Sequence, residues 1–253
     1  MDKGKIIEST PMKDPVLIVG GTSGIGSALA IRCADSGHPV YVASRRVQST
    51  CMATDRAAVT AITMDATDSD SVTSAIQLAT PYGRLASLAY CPGTIDLKPF
   101  KRVSEEDLLN AFRVNVIGAV NVIQAASEAL KIANGSIVLF STIAVKQGFP
   151  NHVAIASAKG AVEALAKSLA AELAPKVRVN CIAPSLTQTP LSERLLQNET
   201  LVKGIADLHP LGRLGRADDI AALAEFLMSE KADWITGQVF GVDGGRSTLR
   251  IKA

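Results

Sequence analysis

The stretch Pro15-Val-Leu-Ile-Val-Gly-Gly-Thr-Ser-Gly-Ile-Gly26 joins a short apolar run to a glycine-rich turn. Such a run predicts a buried strand of a parallel sheet, and residues 25–36 predict a helix that Gly37 ends. Glycines allow a tight turn and let a pyrophosphate approach the N–H groups at the start of the helix. The alternative is a simple tight turn. The predicted cofactor-binding residues of this turn are Gly20, Thr22, Ser23, Gly24, Ile25 and Gly26.

Strand and helix patterns alternate along the rest of the chain. Further strands are predicted over residues 40–43, 59–64, 85–90, 136–140, 177–182 and 238–242. Further helices are predicted over residues 69–79, 104–133 with a break at Gly118, 153–173 and 218–229. This alternation predicts an α/β, Rossmann-type doubly wound fold, with a seven-stranded parallel sheet and helices on both faces. We expect a flexible leader over residues 1–14 and a single domain over residues 15–253.

Composition argues against several classes of function. Among 253 residues, 26 basic side chains face 24 acidic ones and are scattered, which argues against a nucleic-acid-binding surface. The four cysteines form no C-x-x-C pair, and the three histidines show no metal-ligand spacing, so no metal site is predicted. The first 14 residues hold no apolar run long enough for a signal peptide or membrane span. We expect a cytoplasmic protein without a membrane partner.

Several motifs together resemble those of the short-chain dehydrogenase/reductase family, over nearly the whole chain. The turn has the spacing G-x-x-x-G-x-G, and Asn115 lies within Val-Asn-Val. Further matches are Val179-Asn-x-x-x-Pro184, Pro210-Leu-Gly-Arg-x-Gly215, Ile235-Thr-Gly-Gln238 and Val242-Asp-Gly-Gly245. The resemblance implies a nicotinamide cofactor, a small-molecule substrate and a homodimer or homotetramer formed through the two long central helices.

The second strand indicates which nicotinamide cofactor to expect. An acidic residue at its end would bond the adenosine ribose, but this chain has Ser44 followed by Arg45 and Arg46. An arginine fork can bind the 2′-phosphate of NADP(H), which is therefore the predicted cofactor. The alternative is two solvated surface arginines. By resemblance, Asp65 and Ala66 lie at the adenine.

The resemblance also assigns the catalytic positions. The family's Asn, Ser, Tyr and Lys fall here on Asn115, Thr142, Ile155 and Lys159. It implies that Lys159 binds the nicotinamide ribose and that Asn115 organises a water path to Lys159. Thr142 retains a hydroxyl for a substrate carbonyl, and Ser141 could replace it in a shifted pose. The remaining cofactor contacts implied are Gly93, Pro184, Thr187 and Thr189.

Ile155 cannot donate, accept or ionise. Positioned acid–base catalysis contributes about 10²–10⁴ in rate, so the source of the proton becomes the main question. His152 is a speculative catalytic acid, because it lies three positions before Ile155 and would share its face in a continuous helix. Tyr90 is another phenol near the cofactor side of the sheet. Bound water or the substrate itself is the third source.

The segment from Thr187 to His209 is expected to face the substrate. Its apolar residues form either an amphipathic lid or a helix packed permanently on the body. These are Pro190, Leu191, Leu195, Leu196 and Leu201.

Three functions remain open from the sequence. The first is an atypical NADP(H)-dependent oxidoreductase with non-standard proton delivery. The second is a catalytically inactive NADP(H)-binding protein, such as a sensor or a subunit of a hetero-oligomer. The third is an enzyme that uses this pocket for non-redox chemistry.

Overall fold

A computed structural model describes residues 13–47 and 57–250. The strands of its main sheet are β1 (Val16–Val19), β2 (Val40–Ser44), β3 (Val59–Thr63), β4 (Ser87–Tyr90), β5 (Ser136–Phe140), β6 (Arg178–Pro184) and β9 (Val239–Val242). These seven strands are parallel and lie in the order β3-β2-β1-β4-β5-β6-β9, which confirms the predicted fold class. The order reverses beside β1, so β1 and β4 flank the crevice where ligands bind in such sheets.

The predicted helices are present, with ends displaced by a few residues at most. They are α1 (Gly24–Asp35), α2 (Ser69–Ala79), α3 (Glu105–Phe112), α4 (Gly118–Ala133), α6 (Val153–Leu173) and α9 (Ala217–Met228). Three short helices, which the sequence did not predict, are α5 (Ala144–Gln147), α7 (Glu193–Leu196) and α8 (Glu199–Asp207). α5 and α7 have four residues each and carry too little periodicity to be recognised, whereas α8 has nine and falls in the segment for which a lid or a packed helix was expected.

Helices cover both faces of the sheet, and alternation along each strand divides the core. Leu17 and Val19 belong to the cluster packed under α2, α4 and α6, whereas Val16 and Ile18 belong to the cluster under α1 and α9. A strand buried on both faces must be apolar at every position. This explains the continuous apolar run before the glycines.

The helix predicted over residues 104–133 is interrupted in a different way from the expected break. Arg113–Ile117 form a wider π-type turn, and the chain continues directly into α4 at Gly118. In this turn the carbonyl of Val114 accepts a hydrogen bond of 2.6 Å from the hydroxyl of Tyr90. A Cβ on Gly118 would collide with the same hydroxyl. Gly118 therefore permits a close approach to β4 and does not end the helix.

The boundary predicted for the leader needs a correction where the structure describes it. Asp14 forms an ion pair of 2.9 Å with Arg84, and its carbonyl oxygen lies 2.9 Å from His38 Nδ1. Lys13 donates to the carbonyl of Ser36. These two residues belong to the folded body, and residues 1–12 of the predicted leader lie outside the described residues.

A second, two-stranded parallel ladder was not predicted. It pairs β7 (Thr187–Gln188) with β8 (Gly215–Arg216) and brings together the ends of the segment predicted to face the substrate. Two-residue strands have no recognisable period, so their pairing emerges only in the folded chain.

One helical run in the described ranges is long and apolar enough to cross a membrane by length and composition alone. It covers Glu105–Ala133, with a mean hydropathy of 1.3. Because Val122, Ile123 and Leu130 of α4 belong to the core, the run has the character of a core helix. Core helices pass the same test.

Candidate active site

The glycine-rich turn lies at the carboxyl end of β1, next to the loop that follows β4. Gly20 has a φ of +74°, which favours glycine, and a Cβ there would lie 3.2 Å from Pro92 N. A Cβ on Gly26 would collide with the carbonyl oxygen of Gly20. Ser23 caps α1 without a side-chain hydrogen bond to its first turn. Thr22 and Ser23 are exposed and Ile25 is half-buried, and the first N–H groups of a helix such as α1 are available to an anion.

Gly24 shows how a distant segment closes on this turn. A Cβ on Gly24 would lie 3.2 Å from Cβ of Thr189. Thr189 follows β7 and therefore reaches the turn from the far side of the crevice. The turn and Thr189 therefore lie side by side, as a phosphate contact for Thr189 requires.

The predicted adenosine-binding residues lie together at the ends of β2 and β3. Ser44 donates a 2.8 Å hydrogen bond to the carbonyl of Arg46, and both Arg45 and Arg46 are exposed. Hydrogen bonds from Thr67 lower the pKa of Asp65, and the positive charge of Arg45 adds to this effect. The carbonyl of the neighbouring Ala66 accepts from Asn121 of α4. Arg45 thus lies close enough to Asp65 for both to face one nucleotide.

Lys159, Asn115 and Gly93 meet near the centre of the crevice. Lys159 is 8% exposed and donates a 2.7 Å hydrogen bond to the carbonyl of Phe140. Asn115 donates to the carbonyl of Ala111 at 2.8 Å, whereas its buried Oδ1 has no partner in the described ranges. A Cβ on Gly93 would lie 3.3 Å from this Oδ1 and 3.5 Å from Lys159 Nζ.

This cluster fits the cofactor that the sequence implies. An unpartnered buried amide oxygen is costly, and within the described residues the ammonium of Lys159 donates a single hydrogen bond although it has three hydrogens. A ribose hydroxyl at Lys159 and a water molecule at Asn115 would satisfy both groups. Glycine at position 93 keeps the space open for them.

Thr142 is the better placed of the two hydroxyls at the end of β5. Its Oγ1 accepts a long hydrogen bond of 3.3 Å from the N–H of Ala144 and is partly exposed. Ser141 is buried and donates to Glu163 Oε1 at 2.7 Å, with a second contact to the carbonyl of Lys159. Because Ser141 is engaged on α6, its role as a substitute for Thr142 is disfavoured.

Ile155 lies one turn before Lys159 in α6 and is 7% exposed. It borders a cavity of about 120 Å³ that is also lined by Thr94, Asp107 and Asn110. An apolar, non-ionising side chain therefore borders this cavity, one helical turn before Lys159.

The two alternative acids considered above have other partners. His152 precedes the first residue of α6, and its Nδ1 lies 2.7 Å from the carbonyl oxygen of Pro150. The helix therefore does not continue through His152, which removes the argument for a shared face with Ile155. Tyr90 is 3% exposed, and burial raises the pKa of its hydroxyl, which is already bonded to Val114. Both geometries argue against a role in proton transfer.

The loop after β6 contains a polar contact that sequence reasoning missed. Pro184 ends β6, and the buried Thr187 donates to the carbonyl of Ser185 at 2.9 Å. Ser185 Oγ lies 2.8 Å from Nε2 of His209, whose Nδ1 lies 2.7 Å from the carbonyl oxygen of Ile205. The sequence signal for this contact was Ser185, which stands where the family that the sequence resembles has glycine.

The segment predicted to face the substrate contains a short 3₁₀ turn, α7 and α8. Leu191 and Leu201 are 53% and 44% exposed, and neither Leu195 nor Leu196 is fully buried. Its apolar residues are therefore only partly covered by the body of the protein. This agrees better with a lid than with a permanently packed helix.

Across residues 13–47 and 57–250, no group of three His, Cys, Asp or Glu side chains is arranged to hold a metal ion. Cys33, Cys91 and Cys181 are free thiols, and burial raises the pKa of each to about 12. Such thiols are poor nucleophiles and poor metal ligands.

The burial of Lys159 predicts a pH dependence of stability. Burial lowers the pKa of Lys159 from 10.5 to about 8, so between these values the unfolded chain binds more protons than the folded one. Stability from this group should therefore rise with pH across that window, by roughly 3 kcal/mol in total. Urea unfolding at intervals from pH 8 to pH 10 should show that the free energy of unfolding of the native protein rises with pH. In Lys159→Met this rise should be absent. Lys167→Met, at an exposed position of α6, should keep the native pH dependence; a constant difference between native protein and Lys159→Met would contradict the prediction.

Known proteins share both the sequence and the fold. Residues 19–247 match the protein family described as Enoyl-(Acyl carrier protein) reductase. The chain is 32% identical over 239 residues to 3-oxoacyl-[acyl-carrier-protein] reductase FabG of Thermotoga maritima, covering 90% of this chain and 96% of that protein. A short-chain type dehydrogenase/reductase from Mycobacterium ulcerans superposes with a TM-score of 0.86 at 29% identity, covering 94% of this chain and 91% of that one.

ElxO has been solved with NADP bound and, as a tyrosine-to-phenylalanine variant, with NADPH bound. Both structures match at a TM-score of 0.86 and 28% identity, covering 94% of this chain and 100% of the other. The likeness therefore extends over nearly all of each chain.

Proposed function

Because this chain belongs to the short-chain dehydrogenase/reductase family, we propose that it is an NADP(H)-dependent oxidoreductase. It interconverts a carbonyl and an alcohol and delivers the proton without a tyrosine. The observation that carries the proposal is the buried pair of Lys159 and Asn115, because Lys159 Nζ and the unpartnered Oδ1 of Asn115 both lie beside Gly93. The name of the relative FabG, a 3-oxoacyl reductase, supports carbonyl chemistry.

In this proposal, each part of the crevice holds one part of the cofactor. The N–H groups of the glycine turn and Thr189 hold the pyrophosphate, and Arg45 with Ser44 holds the 2′-phosphate. Lys159 holds the nicotinamide ribose, and the main chain around Pro184 and Thr187 holds the carboxamide. When bound, the nicotinamide supplies or accepts a hydride.

Proton transfer then depends on Lys159 and Thr142. Thr142 Oγ1 orients the substrate oxygen, and Lys159 holds an ammonium proton whose release is eased by burial. A water molecule bonded to Asn115 Oδ1 and Lys159 Nζ passes that proton to the substrate oxygen. Ile155 excludes bulk water from one side of this path but takes no part in it.

Retention of the cofactor without turnover is the second candidate function. Ile155 at the tyrosine position favours it, and so does the ElxO variant that holds NADPH after a tyrosine was replaced by phenylalanine. The two candidates differ in turnover. NADPH oxidation should be followed by absorbance with 3-oxoacyl thioesters, 2-enoyl thioesters, vicinal diketones and simple ketones. If fluorescence shows that NADPH binds but no compound oxidises it, the oxidoreductase is excluded and the second candidate is supported.

Cofactor preference is tested at Arg45. Arg45→Asp should weaken NADPH binding by about 10–100-fold and leave NADH binding equal or tighter, because a 2′-phosphate loses its cation and meets a carboxylate. Fluorescence titration with both cofactors measures the ratio of the two Kd values. Arg102→Asp, at an exposed position outside the crevice, is the matched control and should not change the ratio. An unchanged ratio in Arg45→Asp would refute the role of Arg45.

We also propose a homodimer or homotetramer formed through α4 and α6. Exposed apolar side chains on α4 and on the turn before it, Ile132 (55%) and Ile117 (50%), support a contact surface there. Light scattering of the full chain measures the mass directly, and a monomer at micromolar concentration would exclude the proposal.

A further inference from the structure

Arg246 is a half-buried arginine without an acidic partner. In the described part of the chain no carboxylate forms an ion pair with it. The nearest acid in sequence, Asp243, instead accepts hydrogen bonds from the N–H groups of Gly245 and Ser247. Burial lowers the pKa of Arg246, and the charge of Asp243 only partly offsets this. The other half-buried arginines of the described ranges are tied to protein acceptors: Arg32, Arg84 and Arg178.

The guanidinium is held in place by uncharged groups. Its Cζ lies 4.7 Å from the centre of the Phe149 ring, a stacking contact that fixes the plane of the fork. Its Nη1 lies 3.4 Å from Ser185 Oγ, a long hydrogen bond. The main chain of Arg246 is anchored as well, because its carbonyl accepts a 3.0 Å hydrogen bond from Gln147 Nε2. Among the described residues, Ser185 is the one hydrogen-bond acceptor of the guanidinium, so the group is positioned while most of its N–H groups have no acceptor in that part of the chain.

These contacts place Arg246 between the two loops that frame the candidate active site. Gln147 ends α5 and Phe149 follows it, in the segment of chain between Thr142 and Ile155. Ser185 begins the loop after β6, and the two loops are joined where Ile143 N donates to the carbonyl of Pro184 at 3.1 Å. A ligand bound by Arg246 would therefore lie within reach of the loop that carries Thr142.

Ser185 holds the guanidinium in place and is itself fixed by a buried histidine. His209 is 2% exposed, and its Nδ1 donates to the carbonyl of Ile205. In that neutral tautomer Nε2 accepts from the hydroxyl of Ser185, whose oxygen accepts from Arg246 Nη1. Ser185 therefore positions the fork and keeps no hydrogen for a ligand. An arginine fork that forms no ion pair within the described ranges matches the planar and bidentate geometry of a carboxylate.

We propose that Arg246, held in place by Phe149 and Ser185, binds a carboxylate group of the substrate, so that this protein acts on oxo acids and the corresponding hydroxy acids. The assignment of the substrate class rests on the proposed oxidoreductase function, whereas the binding site itself does not require turnover. The sequence places Arg246 directly after the Val242-Asp-Gly-Gly245 motif, which carries no indication of this contact.

The test compares acids with their methyl esters, which keep the carbonyl and lose the charge. Three pairs carry the oxo group at the second, third or fourth carbon, and NADPH oxidation is measured with the native holoenzyme, Arg246→Gln and Arg250→Gln. For the preferred acid, Arg246→Gln should lower kcat/KM by about 10–100-fold, mainly through KM, with no effect on the ester. Arg250→Gln, an equal loss of charge at an exposed position, should change neither. Arg246→Lys, which keeps the charge and loses the fork, should fall between Arg246→Gln and the native enzyme.

Binding without chemistry separates this inference from the proposed function. Saturation-transfer NMR measures binding of the matching hydroxy acids, and of inorganic phosphate, to the full chain with NADP⁺. Carboxylate binding that Arg246→Gln abolishes, with no turnover of any compound, supports the site and removes the oxidoreductase proposal. If acids and esters are turned over at equal rates and Arg246→Gln does not change these rates, the carboxylate site is refuted and the oxidoreductase proposal stands. Binding of phosphate that depends on Arg246, without binding of any carboxylate, overturns the carboxylate assignment.

Discussion

Replacing Ile155 with tyrosine is expected to raise ketone reduction by about 10²–10⁴-fold, the usual contribution of a positioned acid. The phenol would stand one helical turn before Lys159, whose buried ammonium would lower the pKa of the new hydroxyl. The neighbouring cavity of about 120 Å³ provides room for the larger side chain. Steady-state NADPH oxidation over a ketone panel measures the change in kcat/KM.

Ile155→Phe is the matched control, because it introduces the same ring without the hydroxyl. We expect its activity to stay near that of the native enzyme, so the difference between Ile155→Tyr and Ile155→Phe isolates proton transfer. Both variants should retain NADPH binding, which fluorescence titration verifies. Equal activity of the two folded, NADPH-binding variants would show that the pocket has diverged beyond the loss of one acid.

The second large effect is expected at the glycine-rich turn. In Gly26→Ala, the added Cβ collides with the carbonyl oxygen of Gly20, and a backbone atom cannot move aside as a flexible side chain can. We expect a loss of about 1–3 kcal/mol in the free energy of unfolding. NADPH binding should weaken at least tenfold, because the displaced turn no longer presents its N–H groups to the pyrophosphate. Urea unfolding and fluorescence titration measure the two effects.

Gly204→Ala is the matched control for this substitution. Gly204 lies in α8, is exposed, and has no atom within 4 Å of the position that a Cβ would occupy. Alanine in a helix should stabilise the protein by about 0.5–1 kcal/mol and leave NADPH binding unchanged. Similar behaviour of the two alanine variants would mean that the turn accepts a side chain, contrary to the geometry described above.

The fold could be predicted because its signals are local. The apolar run at residues 16–19 is continuous because both faces of β1 are buried, and the helix after it begins within the glycine-rich turn, at Gly24. The capping Ser104 is followed by three acidic residues, and the structure shows the expected helix start with a reciprocal cap at Asp107. The π-type turn before Gly118 could not be predicted, because it depends on the contact between Tyr90 and Val114.

The candidate site was only partly predictable. Motif spacing placed Asn115 and Lys159, and the structure brings their side chains together beside Gly93. The choice between Ser141 and Thr142 depended on Glu163, a residue of another element. The role considered for His152 depended on whether α6 extends one residue further towards the amino terminus, a boundary that sequence patterns locate poorly.

The sequence by itself determined the order of strands and helices, the dinucleotide turn and the absence of a phenol at position 155. These features depend on neighbours within a few residues, through burial patterns and backbone geometry. Only the tertiary structure decided that Tyr90 and Ser141 are engaged elsewhere and that Arg246 lies beside Ser185 with no ion pair in the described part of the chain. The physical reason is that each contact joins residues that are 22 to 61 positions apart, which only packing brings within hydrogen-bonding distance.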